Sequence, residues 1–158
     1  NCKIMNEYIT GLNYLKGLFE SNSNVKTIIH GVTENIDLDK SNEYPLVNIF
    51  CTSFNPRLGD EEAVGTVAFR YTISILTNRI ESNTPFTDKW LKSDNEIANY
   101  NTTIGIALQF FSDADLINDE NIDIIEINEP EIGTLMLTNL LDGCIFDCVI
   151  TVPNQTGC

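Results

Sequence analysis

The sequence predicts an α+β domain: a mixed, mainly antiparallel sheet of about five strands with two helices packed on one face. Three observations carry this. Residues 63–78 place Val67, Phe69, Tyr71, Ile73 and Ile75 on one parity and Ala68, Arg70, Thr72 and Ser74 on the other, the alternation of a half-buried antiparallel strand. Two other segments, 4–20 and 93–111, repeat apolar residues at three- and four-residue steps, the period of a helix with one buried side. The periods succeed one another as α-β-β-β-α-β-β along 158 residues, a length that suits one domain with a real core.

The elements follow in order. Ile4, Tyr8, Leu12, Leu15 and Phe19 form the apolar stripe of the first helix, with Asn6, Glu7 and Lys16 on its other faces. VKTIIHGV (25–32) is β-branched and reads as a strand, and TENIDLDKSNEYP (33–45) as a polar, turn-rich connection. PLVNIFCTSF (45–54) and AVGTVAFRYTISILTN (63–78) read as strands on either side of NPRLGDEE (55–62), whose Pro, Gly and acids signal a hairpin loop. A polar loop with Pro85 and Trp90 leads to SDNE (93–96), where Ser93 as N-cap and Glu96 three residues on make a capping box. Ile97, Tyr100, Ile104, Leu108 and Phe111 then mark the second helix, ended by Asp-rich turns between Asp113 and Asp119. NIDIIEINEP (121–130) and LLDGCIFDCVITVP (140–153) are the last strands, the latter with Cys144, Phe146, Cys148, Ile150 and Val152 facing one way.

Charge is distributed unevenly. Residues 1–92 hold all nine Lys and Arg against eleven Asp and Glu, a net of −2, whereas residues 93–158 hold twelve carboxylates and no Lys or Arg, a net of −12. Such a one-signed half repels polyanions and attracts cationic partners, which argues against free nucleic acid as a ligand. The longest apolar runs, such as IGIALQFF (104–111), are too short to span a membrane. No basic stretch with an apolar core opens the chain, so export by a cleaved signal is not expected.

Chemistry is sparse. Cys2, Cys51, Cys144, Cys148 and Cys158 are an odd set with two near the termini, which fits reduced thiols better than a disulfide framework. Cys144 and Cys148 stand roughly 13 Å apart along a strand, too far to bridge or share a metal. His30 is the only histidine and lies in a strand pattern without a local triad; a Cys51–His30 nucleophile pair has no motif behind it, and no Gly-rich phosphate loop occurs. A small hydrolase is therefore disfavoured, and no cofactor is expected. DADLINDENID (113–123) presents Asp113, Asp115, Asp119, Glu120 and Asp123 as hard oxygen ligands, an alternative reading as a cation (calcium)-dependent protein-binding module, but without the mid-loop Gly and closing Glu of an EF-hand. Phe86 and Trp90 stand among Arg79, Lys89 and Lys92, a mixture of aromatic anchors and cations suited to a protein interface.

The opening helix, VKTIIHG (25–31), IDLDKSNEYPLVNIF (36–50), a long strand after a hairpin, a second helix and a last strand ending in TVPN (151–154) together resemble small ring-forming tail and neck proteins of tailed bacteriophages, crAss-like phages among them, and are broadly similar to tail-terminator proteins. The resemblance implies one tail-terminator-like structural domain over residues 1–158, a virion component assembled in the host bacterial cytoplasm. It implies a homo-oligomeric ring of six or twelve copies in the neck or tail, in contact with other tail, neck or portal proteins. DNA would pass through the lumen without specific binding, with no membrane involved and no catalytic residues. A ring needs heterologous contacts, one patch meeting a different patch on the neighbour. The expected patches are the cations and aromatics of the first part (Arg57, Arg70, Arg79, Phe86, Lys89, Trp90, Lys92) and the acids of the second (Asp113, Asp115, Asp119, Glu120).

Overall fold

The computed structural model describes residues 7–33, 36, 41–58, 64–80, 90, 95–116, 122–136 and 140–153. Its elements are α1 (Glu7–Glu20), β1 (Thr27–His30), β2 (Leu46–Leu58), β3 (Val64–Asn78), α2 (Glu96–Leu116), β4 (Asp123–Ile127), β5 (Glu131–Met136) and β6 (Leu141–Pro153). The sheet runs β1-β2-β3-β6-β4, with β5 also on β6. Only β1 and β2 are parallel; every other pairing is antiparallel, so the domain is α+β with a mixed, mainly antiparallel sheet.

Among the described residues six strands fill five lanes. β4 lies along Cys148–Thr151 of β6 and β5 along Leu141–Ile145, both antiparallel, so the two are one edge lane broken at residues 128–130. At the break Asn128 N–H donates to the Asp147 carbonyl at 2.9 Å, and Pro130 supplies no donor. The expected last strand pair is thus a strand triplet, because EIGTLM resumes the ladder after the kink.

Both helices cover one face. Phe69, Tyr71, Ile73 and Ile75 of β3 and Cys144, Phe146, Cys148, Ile150 and Val152 of β6 are buried beneath Leu15, Leu18 and Phe19 of α1 and Ile106, Ala107 and Phe110 of α2. Phe19 and Phe110 stack with centroids 4.7 Å apart and planes 5° from parallel, a contact worth about 0.5–1.5 kcal/mol beyond its buried area. Tyr71 is fully buried and its hydroxyl lacks a hydrogen-bond partner among the described residues, facing Gly11, where an added Cβ would sit 2.9 Å from it. The opposite face carries a smaller cluster, Ile36, Leu46, Leu76 and Leu141, with Ile29 and Tyr44 against it.

Several boundaries depart from expectation. β2 continues through Asn55, Pro56 and Arg57, which the hairpin reading assigns to the loop. Among the described residues β2 has no partner beyond Ile49 on its β1 side, so the N–H that Pro56 lacks is not needed there. A register shift between Cys51 and Ser53 leaves Thr52 unpaired, its hydroxyl donating to the Arg70 carbonyl at 3.2 Å. α2 starts after Asn95, whose carbonyl accepts from Asn99 N–H, so Asn95 rather than Ser93 holds the N-cap position; Ser93 is outside the described residues. The helix also runs past Asp113 and Asp115 to Leu116.

The buried face of α2 is a correction too. Ile97 and Leu108, expected inside, are 41% and 61% exposed, while Asn99, Thr103, Ile106, Ala107 and Phe110 are buried. Two forces set that phase. Asn99 reaches Asp142 of β6 at 2.9 Å, and Phe110 stacks on Phe19. Thr103 is accommodated by donating its hydroxyl to the Asn99 carbonyl at 3.0 Å, and the Cys144 thiol points at the Thr103 carbonyl at 3.6 Å.

Candidate functional site

The strongest polar assembly lies where β3 ends, α2 begins and β6 begins. Arg79 leaves β3 and turns inward, with its side chain 7% exposed. Its guanidinium pairs with Glu96 of α2 and, through Nε at 3.1 Å, with Oδ2 of Asp142, a fully buried carboxylate. Asp142 also accepts from Asn99 Nδ2 at 2.9 Å, and Asn99 Nδ2 lies 3.0 Å from the Asn78 carbonyl. Asn95 closes the circuit: its Oδ1 accepts from Ile80 N–H at 2.6 Å, and its Nδ2 donates to the Asn78 carbonyl at 3.1 Å and to Asn99 Oδ1 at 3.1 Å. One guanidinium thus bridges two carboxylates, and the Asn99 amide gives the buried Asp142 a further donor. The network fixes Ile80 beside Asn95, bringing together the two ends of the stretch that contains Trp90. Leu140, whose carbonyl accepts from Arg79 N–H at 3.2 Å, is held at φ 53°, in the left-handed region that leucine seldom occupies. Beside this buried centre Ile80 (69%) and Leu140 (42%) are exposed apolar groups, and Trp90, farther along the chain, is 84% exposed.

The residues expected at an interface separate into distinct positions. Arg79 is committed inside the protomer and is not offered to a neighbour. Arg70 lies on the face away from the helices, 3.5 Å from Glu126 and 4.0 Å from Asp147, while Thr72 donates to Asp147 at 2.6 Å. Arg57 stands opposite Thr66 in the β2–β3 ladder. Asp113 accepts from Ser21 Oγ at 3.3 Å and from Gln109 Nε2 at 2.8 Å, and Asp115 lies in the last turn of α2. Phe86, Lys89, Lys92, Asp119 and Glu120 lie outside the described residues. The acids do gather elsewhere: Asp123, Glu126, Glu129 and Glu131 are all exposed along the β4–β5 lane at one edge of the sheet.

Among the described residues the free thiols are Cys51, Cys144 and Cys148, the last two buried; Cys2 and Cys158 lie outside them. Burial pushes Cys144 up to about 11 and, with help from Asp147, Cys148 up to about 12. Burial also raises Cys51, opposed in part by a backbone hydrogen bond of Ser53. A thiol so shifted is protonated at neutral pH and a poor nucleophile. His30 and Cys51 lie on adjacent strands, His30 opposite Ile49 and Cys51 opposite Tyr71. A cleft of about 420 Å³ between the end of α1 and the middle of α2 is lined only by hydroxyl, amide and Gly groups, among them Asn22, Asn24, Asn101 and Gln109.

Sequence reasoning missed Glu96 and Asp142 as partners of Arg79, and Asn95 and Asn99 as the amides that extend the network. The available signal is Asp142, an acid one residue into a strand whose neighbours are apolar, since such a side chain demands a donor. Among the described residues no helix is long and apolar enough to cross a membrane, and no three His, Cys, Asp or Glu stand together as metal ligands. No family model and no curated protein matches the chain.

Proposed function

We propose that the protein is a structural subunit of a tailed-bacteriophage virion, forming a homo-oligomeric ring in the neck or tail around the DNA conduit. The observation that carries this reading is the imbalance of charge: a net of −12 in residues 93–158, with Asp123, Glu129 and Glu131 exposed along one sheet edge after Arg70 and Arg79 of the first part have engaged Glu126, Asp147, Glu96 and Asp142. A chain whose two parts differ in this way meets a copy of itself favourably when one part touches the other, and a heterologous contact between unlike patches closes into a ring. Carboxylates left facing a lumen repel passing DNA and keep it from adhering. Exposed Ile80 and Leu140 beside a rigid polar base, and exposed Trp90, supply apolar anchoring for neighbouring virion proteins. The reading also draws on the resemblance of residues 25–31, 36–50 and 151–154 to phage ring proteins.

Mass in solution and negative-stain imaging test it together. The expected result is an annulus, with a mass several times the 17.7 kDa chain that falls as salt is raised. A protomer that stays single at all concentrations sinks the ring. Loss of folded structure on chelation points instead to the cation-dependent module.

A further inference from the structure

The sheet ends in two unlike edges. β1 closes one side and the β4–β5 lane the other, and among the described residues neither has a strand on its outer side. Unpaired strand edges carry free N–H and C=O groups and recruit another strand unless something blocks them. The β4–β5 edge displays Asp123, Glu126, Glu129 and Glu131, which prevent two such edges from meeting each other. It also exposes Ile127 and Ile132, the latter 60% accessible, so the edge is not merely solvated. Beside β1 stand Lys26 and His30, both exposed, and Lys16 of α1, which bonds Glu20 at 3.1 Å yet remains half exposed. Between β1 and α1 opens a cleft of about 260 Å³ lined by Leu12, Lys16, Ile28, His30 and Ile49, with an apolar floor and a basic rim.

We propose that the β1 edge and its cleft receive the β4–β5 edge of a second copy, adding β5 to β1 and seating Ile132 in the cleft. This names the contact of the ring reading and rests on it. Strand direction agrees. β1 runs parallel to β2, β2 antiparallel to β3, β3 to β6, and β6 to β5, so β5 opposes β1 within the sheet. A second copy continuing the sheet in the same orientation therefore brings β5 against β1 antiparallel, the better-paired arrangement. Facing agrees as well. Ile132 is opposite Cys144, whose side chain lies on the helix-covered face, and Ile28 is opposite Val47 on that same face. Ile132 thus arrives on the side where the cleft opens. Lys26 and His30 beside β1 would meet an edge that carries Asp123, Glu129 and Glu131, and the contact is heterologous, as a ring requires.

Charge reversal tests the contact by size-exclusion chromatography with light scattering. Lys26→Glu and Glu131→Lys, each checked for folding by circular dichroism, are expected to lower the mass towards 17.7 kDa, and the doubly reversed chain to regain it. Ile132→Asp is expected to give single chains at every concentration that assembles the unaltered protein. An unaltered protein that is itself monomeric overturns the ring reading and this contact with it. An oligomer whose mass ignores Lys26→Glu, Glu131→Lys and Ile132→Asp overturns this contact alone.

Discussion

Replacing Arg79 by Met removes the guanidinium that pairs with Asp142 and Glu96 while keeping a side chain of similar length. The consequences for the two carboxylates differ. Glu96 is 22% exposed and turns to water, but Asp142 is fully buried and loses the guanidinium that lies 3.1 Å from it, while the neutral Asn99 amide at 2.9 Å stays. Breaking a buried pair from one side costs about 3–5 kcal/mol, because the remaining charge has no counterion. That is a large share of the ~5–15 kcal/mol by which domains are stable. Urea unfolding at one fixed protein concentration measures it, since self-association would otherwise add a concentration-dependent contribution. With a slope of about 2 kcal/mol per molar, the midpoint falls by roughly 2 M. The cause is separable from lost packing. Arg79→Met with Asp142→Asn removes the stranded charge as well, so the double variant is less destabilised than the sum of the singles by at least about 1 kcal/mol. A loss below about 1 kcal/mol for Arg79→Met, the value typical of an exposed ion pair, refutes the argument that this network is buried and satisfied.

Gly143→Ala is expected to be among the most damaging single-methyl additions, because the new Cβ falls 1.9 Å from the Ile75 carbonyl oxygen in the central β3–β6 ladder. A loss of at least about 3 kcal/mol by thermal or urea unfolding follows, and a fully stable variant refutes the close approach. Phe110→Ala deletes the ring stacked on Phe19 and is expected to cost about 3–5 kcal/mol by the same measurement. The raised thiols give a pH dependence of definite sign. Folded Cys144 and Cys148 stay neutral up to about 11 and 12, whereas the unfolded chain ionises near 9, so their stabilisation is complete below pH 9 and is lost as pH climbs through 11–12. Melting temperatures from pH 8 to 11.5 should fall less steeply for Cys148→Ala than for the unaltered chain; an identical slope contradicts the assignment.

The strands were legible because their signal is local. Every second residue of 144–152 is apolar, and that parity alone places Cys144, Phe146, Cys148, Ile150 and Val152 on the inner face, as found. The helix phase was not. Ile97 and Leu108 lie on the outside, while Asn99 and Thr103 are inside, because the partner that makes Asn99 acceptable within the protein is Asp142, 43 residues downstream. β5 escaped notice because Pro130 reads as a terminator, whereas here it marks a kink after which the same lane resumes. Of the candidate site, the imbalance of charge is visible in composition. Which charges are free is not: Arg79 and Arg70 look alike in sequence, yet one is enclosed by two carboxylates and the other lies on an open face beside Glu126.

The interruption at residues 128–130 divides the outer lane into two separately registered zippers, Asp123–Ile127 and Glu131–Met136. A slip of one residue in either half would turn its side chains over, but the three-residue hinge absorbs the offset before it reaches the other. The rim can therefore accept lengthening at this corner without the central strands being re-threaded. An inserted epitope or fluorophore-bearing peptide after Glu129 would report from the perimeter of the domain while leaving its interior undisturbed.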